Sequence, residues 1–201
     1  MSNNENMSFL QHLEELRWRL VKSAVAVVLV ASVIWYFQET IMVNLFLSMK
    51  EKDFITFRLF CKYFGVCVAD IPVKMQSMTV SGQFSYALMM SFMGGLVLAF
   101  PFIFYQLWSF VKPGLKLKEK KMASGLVFYV SLLFFLGILF GYFLVAPLSV
   151  QFFGSYQISN QIENNFTISS YMSMILSTVF YSGLFFLLPI VSYLLAKLEI
   201  I

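Results

Sequence analysis

The residues best placed to do chemistry lie in one short run, "HLEELRWRL", from His12 to Leu20. It holds the chain's one histidine together with Glu14, Glu15, Arg17 and Arg19. On a helix, His12 and Glu15 are neighbours at i, i+3, and Glu15 and Arg19 at i, i+4, while Glu14 points elsewhere. A carboxylate so placed has two uses. It pairs with Arg19 on a solvated face, the ordinary fate of such spacing. Or it receives a guest guanidinium through bidentate, charge-assisted hydrogen bonds. A catalytic zinc usually takes about three protein ligands, often histidines, and a single histidine argues against such a site.

A second constellation is "FPFIFYQLWSFVKPGLKLKEKK", Phe100 to Lys121. Tyr105, Trp108 and Phe110 sit where an aromatic belt belongs. Pro113-Gly114 stops the helix, because proline cannot continue it and glycine permits the turn. Glu119 is the only acid on a loop, 112–121, that carries five lysines. Read plainly, it balances charge. On the same membrane face as Glu15, it would instead complete a pair of carboxylates suited to a ligand with two arginines.

These groups need elements to hold them. The chain is 60% hydrophobic and 12% charged, against about half and a quarter in soluble domains. That composition specifies an integral membrane protein, and 201 residues leave little room for a separate soluble domain. The modest net charge of +4 is clustered in short segments, which fits membrane topology better than nucleic-acid binding. A bilayer core of about 30 Å takes about 20 apolar helical residues. Four runs qualify, at 20–37, 84–111, 122–146 and 169–198. They are continuous rather than alternating, so they are helices and not barrel strands. The expected fold is therefore all-α: one transmembrane domain over 1–201, four spans and an amphipathic N-terminal helix. Outer loops cover 38–83 and 147–168, and a cytoplasmic loop covers 112–121.

Ser8 and Gln11 form a capping-box pattern, so a helix begins near Phe9. Phe9, Leu13, Leu16 and Leu20 then share one face, and the segment lies at the membrane surface before running into the first span. The three acids of the head Met1–Arg19, and the lack of a small-x-small site after the first span, argue against a removable signal peptide. The second and fourth runs exceed one crossing, and Pro101 and Pro189 are the expected kink points. Nine lysines and arginines flank the spans on the side of the N-terminus, the 112–121 loop and the C-terminus, against five in the long outer loop. The positive-inside rule places both termini in the cytoplasm. Cys61 and Cys67 fall in the outer loop, where an oxidising compartment permits a disulfide; their spacing leaves it open. Gly137 and Gly141 allow close helix packing, read as internal rather than as a dimer seam. Gln106 and Gln83, near span two, are read as packing or interface hydrogen-bonding groups.

"HLEELRWRL" and "FPFIFYQLWSFVKPGLKLKEKK" together resemble the N-terminal signature, second span and first cytoplasmic loop of the TatC subunit family of the twin-arginine protein translocase. "LGILFGYFLVAPL", 136–148, and "SGLFFLLPIVSYLL", 182–195, are similar to that family's third and fourth spans. The resemblance implies a membrane-embedded receptor and core component, in a bacterial-type plasma membrane, for twin-arginine signal peptides of folded precursors. Export would be driven by the proton-motive force, with no cofactor, no metal and no bond-breaking catalysis. It implies Glu15 and Glu119 as signal-peptide-binding carboxylates, with Arg17, Phe110 and Pro101 in supporting positions. It also implies small single-span partners of the TatA and TatB type, self-association into a homo-oligomer, and no nucleic-acid partner. Two departures stand out. The family commonly has a glutamate two residues before the proline of its fourth span, where this chain has Leu187. It also has six spans, and this sequence ends at Ile201, just after the fourth.

The sequence admits two rival readings. "EELRWR" fits E-E-x-x-x-R and resembles a motif of intramembrane CAAX-type proteases, whose acids work with histidines inside the membrane; here no span contains a histidine. A four-span transporter or assembly factor would show polar or broken spans near the midplane. These spans offer only glycine, serine and proline there.

Overall fold

The computed structural model describes residues 9–65, 75–112, 125–156 and 166–197. The first element, α1 (Phe9–Tyr36), is a single helix, so the N-terminal segment and the first span are continuous. Its 28 residues reach about 42 Å at 1.5 Å per residue, beyond the ~30 Å apolar core of a bilayer. The surplus allows the charged end of the helix to extend beyond the apolar core. A short α2 (Gln38–Ile41), a π turn (Met42–Phe46), a 3-10 turn (Leu47–Lys50) and α3 (Ile55–Phe64) follow. Then come β1 (Met75–Gln76) and α4 (Gly82–Val111). The next span is built from α5 (Leu126–Phe140), a π turn (Gly141–Val145) and α6 (Ala146–Ser155). Last are β2 (Phe166–Thr167) and α7 (Ile168–Lys197). Among the described residues, four helical stretches are long and apolar enough to cross a membrane.

The third stretch runs to Ser155, where the sequence suggested a loop from 147. The reason lies in Pro147. It falls in the first turn of α6, immediately after the π turn. There its missing N–H is not required, and its fixed φ already suits a helix. Pro101 and Pro189 both lie inside continuous helices.

α1 and α4 run antiparallel. Trp35 meets Phe84 edge-on at one end, and His12 stacks on Phe110 at the other. The face of α1 turned inward carries His12, Leu16, Arg19, Ser23, Val27 and Ile34, which are partly or fully buried. Leu13, Leu20, Val25 and Val28 are exposed. This inverts the arrangement of a soluble helix. Lipid tails are as apolar as leucine, so the polar groups gain by facing the bundle. The GxxxG at the end of α5 and the start of the π turn is an internal seam: a Cβ on Gly137 would meet the Ser182 carbonyl oxygen at 2.7 Å, and one on Gly141 the Ser182 Cβ at 2.8 Å.

The buried apolar cluster sits at the bundle end away from Glu15. It joins Phe46, Met49, Phe54 and Phe57 of the first connection to Met90, Val150, Met172 and Ile175 of the spans. Side-chain hydroxyls latch the irregular turns in place. Tyr171 donates to the Phe46 carbonyl at 2.5 Å, Tyr142 to the Leu45 carbonyl at 3.0 Å, and Thr56 to the Phe143 carbonyl. β1 and β2 pair in parallel through Met75–Phe166 and Gln76–Thr167. Tyr171→Phe removes the buried hydroxyl bond to the Phe46 carbonyl and should cost about 1 kcal/mol. Tyr142→Phe should cost less, since Tyr142 is only half-buried. Thermal unfolding of the two variants in detergent measures the difference.

Candidate functional site

Helical spacing brings Glu15 and Arg19 onto the inward face of α1, one turn apart. Arg19 Nε and Nη2 both donate to Glu15 Oε1, at 2.9 and 2.5 Å. Arg19 Nη1 also donates to Gln106 Oε1 of α4 at 3.4 Å. Gln106 is itself buried at 8% exposure, which fixes the far end of that contact. One turn towards the N-terminus, the His12 ring stacks on Phe110 with centroids 4.1 Å apart. Ser23 donates to the Arg19 carbonyl at 3.0 Å and so continues the polar seam into the span.

The solvated-pair reading of Glu15 is therefore half right. The pair with Arg19 forms, but against α4 and partly buried, with the two side chains 27% and 22% exposed. Among the described residues, the hydrogen bonds to this carboxylate all fall on Oε1. A carboxylate offers about four lone-pair sites, so Oε2 is left with acceptor capacity. Glu14 and Arg17 are exposed, on the other side of α1. The two acids of the protease-like pattern thus diverge rather than converge. Among the described residues, no three His, Cys, Asp or Glu side chains come together to hold a metal ion.

Phe110 belongs to the site through His12. Pro101 lies inside α4, about two and a half turns from Phe110 along the helix. Glu119 and Cys67 lie outside the described residues, as do Ser8, Pro113 and Gly114. Cys61, in α3, is disulfide-bonded. Leu187 is partly buried within α7. The Arg19–Gln106 and His12–Phe110 contacts had no signal in sequence spacing; a polar or aromatic residue near the same end of each span was the only hint.

Four membrane-length helices with polar groups gathered along one interfacial seam define the class: a polytopic helical membrane protein. The profile of the family described as TatC, Sec-independent protein translocase protein, matches residues 11–201. The chain belongs to the TatC family. The TatC of Blattabacterium sp. subsp. Periplaneta americana (strain BPLAN) is 35% identical over 210 residues, covering 100% of this chain and 79% of that protein. The TatC of Koribacter versatilis (strain Ellin345) is 32% identical over 197 residues, covering 98% and 67%. A crystal structure of the twin arginine translocase receptor TatC in DDM superimposes with a TM-score of 0.74 at 28% identity. It covers 94% of this chain and 77% of that one.

Proposed function

We propose that this chain is a receptor and core component of a twin-arginine translocase, binding the paired arginines of signal peptides at the Glu15 end of the bundle. The observation that carries the proposal is the Glu15 carboxylate. It is anchored through one oxygen by Arg19, which Gln106 holds in turn, with acceptor capacity left on the other oxygen, in a chain of the TatC family. A guest guanidinium would share this carboxylate or displace Arg19, which Gln106 would retain. Glu119, on the lysine-rich loop, would receive the second arginine. Phe110 and His12 hold the end of α1 against α4, and Pro101 and Arg17 support that end from within α4 and from the exposed side of α1.

In this reading the membrane is a bacterial-type plasma membrane. Both termini and the 112–121 loop are cytoplasmic, from the excess of lysines and arginines at that end. Single-span subunits of the TatA and TatB type and further copies of the chain are the partners. Cargo moves on the proton-motive force, and the protein breaks no covalent bond. Cys61 pairs with Cys67, the only other cysteine of the chain. The test is site-specific crosslinking of a twin-arginine signal peptide to membranes carrying Glu15→Ala or Glu119→Ala. Each change should reduce crosslinking by about ten-fold or more, as expected for losing a hydrogen-bonded charge partner. Wild-type crosslinking in both variants sinks the proposal.

A further inference from the structure

A second polar feature lies at the opposite end of the bundle, where α1, α4 and α7 meet. A cavity of about 470 Å³ opens there between Trp35, Gln38 and Glu39 on one side and Gln83, Phe84 and Ile168 on the other. Its rim is rich in acceptors and its floor is apolar. Glu39 is exposed and, among the described residues, takes part in no ion pair. Gln38 Oε1 is buried without a donor, which is costly for a carbonyl unless something fills its place. The Trp35 indole stands beside them, a face suited to a cation. Below the rim the floor passes to Met42, Ala87, Met90 and Met172.

Met90 also lines a second cavity, of about 390 Å³. That one is almost wholly apolar, walled by residues such as Ile34, Leu98, Ile138 and Phe180 from all four membrane-length stretches. Stacked on a shared methionine, the two cavities make an amphiphilic shape: acceptors at the span ends, hydrocarbon further in. Span ends lie at headgroup depth. Methionines suit a chain with no fixed conformation, since their side chains are flexible.

We infer that these two cavities form a binding site for a glycerophospholipid with a primary ammonium headgroup. The ammonium would donate to Glu39 and to Gln38 Oε1, the Gln83 amide would face the phosphate, and an acyl chain would descend past Met90. An ammonium brings three N–H donors, matching the acceptors that lack partners here. A trimethylated choline head brings none, and an anionic glycerol head meets the Glu39 charge. A protein segment bearing a lysine would satisfy the rim, but it would not account for an apolar cavity that shares Met90 with the mouth.

The test uses the full chain in detergent, exchanged into equal mixtures of phosphatidylethanolamine, phosphatidylcholine and phosphatidylglycerol. Retained lipid is counted by native mass spectrometry. Phosphatidylethanolamine should be retained over phosphatidylcholine by roughly ten-fold, the factor expected from one charge-assisted hydrogen bond. That preference should fall towards unity in Glu39→Gln and in Gln38→Leu. In the wild-type chain, a photoreactive phosphatidylethanolamine should label the peptide around Met90, a readout that does not depend on either variant folding. Equal retention of the lipids, a preference unchanged in both variants, or labelling confined to other segments overturns the inference. So does a crosslink from position 39 to a polypeptide in place of lipid.

Discussion

Exchanging the partners of the α1 ion pair, Glu15→Arg with Arg19→Glu, is expected to leave the bundle folded and to abolish signal-peptide binding. The reasoning separates two roles that a single substitution confounds. Glu15 and Arg19 lie one turn apart with Arg19 also on Gln106. Removing Glu15 alone would both release Arg19 and delete the acceptor for a guest. The exchanged pair keeps the i, i+4 relation. Gln106 can accommodate it, because its amide turns to present NH₂ where it presented oxygen. The stability change should be small, since an i, i+4 helix pair contributes about 0.3–0.5 kcal/mol when exposed and the exchange keeps this pair. Recognition should not survive. The position that received a guest arginine now carries one, and like charge at a binding contact adds repulsion to the lost bond. A fall of about a hundred-fold in crosslinking follows from losing one charged hydrogen bond and adding that repulsion. Export of a twin-arginine reporter should fall with it. Wild-type export by the exchanged chain would show that Glu15 serves the fold alone, and the receptor proposal would then lose its anchor.

That experiment depends on a contact no reading of the chain could have placed. The four spans were legible because charge disappears for long stretches, and a bilayer admits only helices or closed barrels. The helical character of the N-terminal part of α1 was legible from its spacing. The helix beyond Ala146 was not, because proline reads as a stop unless a π turn happens to put it in a first turn. Nor was the direction of the faces of α1. The apolar residues Leu13 and Leu20 point out, and His12, Arg19 and Ser23 point in. Spacing fixes which residues share a face, but the surrounding solvent decides which face is buried. The Arg19–Gln106 contact and the Met75–Phe166 strand pair join residues far apart in sequence. Such contacts follow from how the helices assemble, and local periodicity carries no record of it.

Assembly itself yields the other large effect, Gly137→Ala, set against Gly94→Ala. Both substitutions add one methyl group to a glycine in a membrane-length helix, and both improve intrinsic helix propensity. Propensity would therefore make them equally harmless. The neighbours predict otherwise. At Gly137 the added carbon would sit 2.7 Å from the Ser182 carbonyl oxygen and 2.8 Å from the Gly183 Cα. Those are backbone atoms of α7, so relief requires α5 and α7 to move apart along their whole seam. Membrane helices gain their association mainly from such close packing, because lipid provides no hydrophobic drive between them. At Gly94 the added carbon would meet Ile34 Cδ1 at 2.9 Å, the free end of a flexible side chain that turns aside. Overpacking that the backbone must absorb costs about 1–3 kcal/mol or more. Gly137→Ala should therefore lower the thermal midpoint and the yield of monodisperse protein sharply, while Gly94→Ala stays close to wild type. The Glu15 site lies on the α1–α4 seam rather than the α5–α7 seam. Protein that does fold with Gly137→Ala should accordingly still crosslink to a signal peptide. Equal melting of the two variants would mean that the α5–α7 seam is looser than its close glycine contacts require.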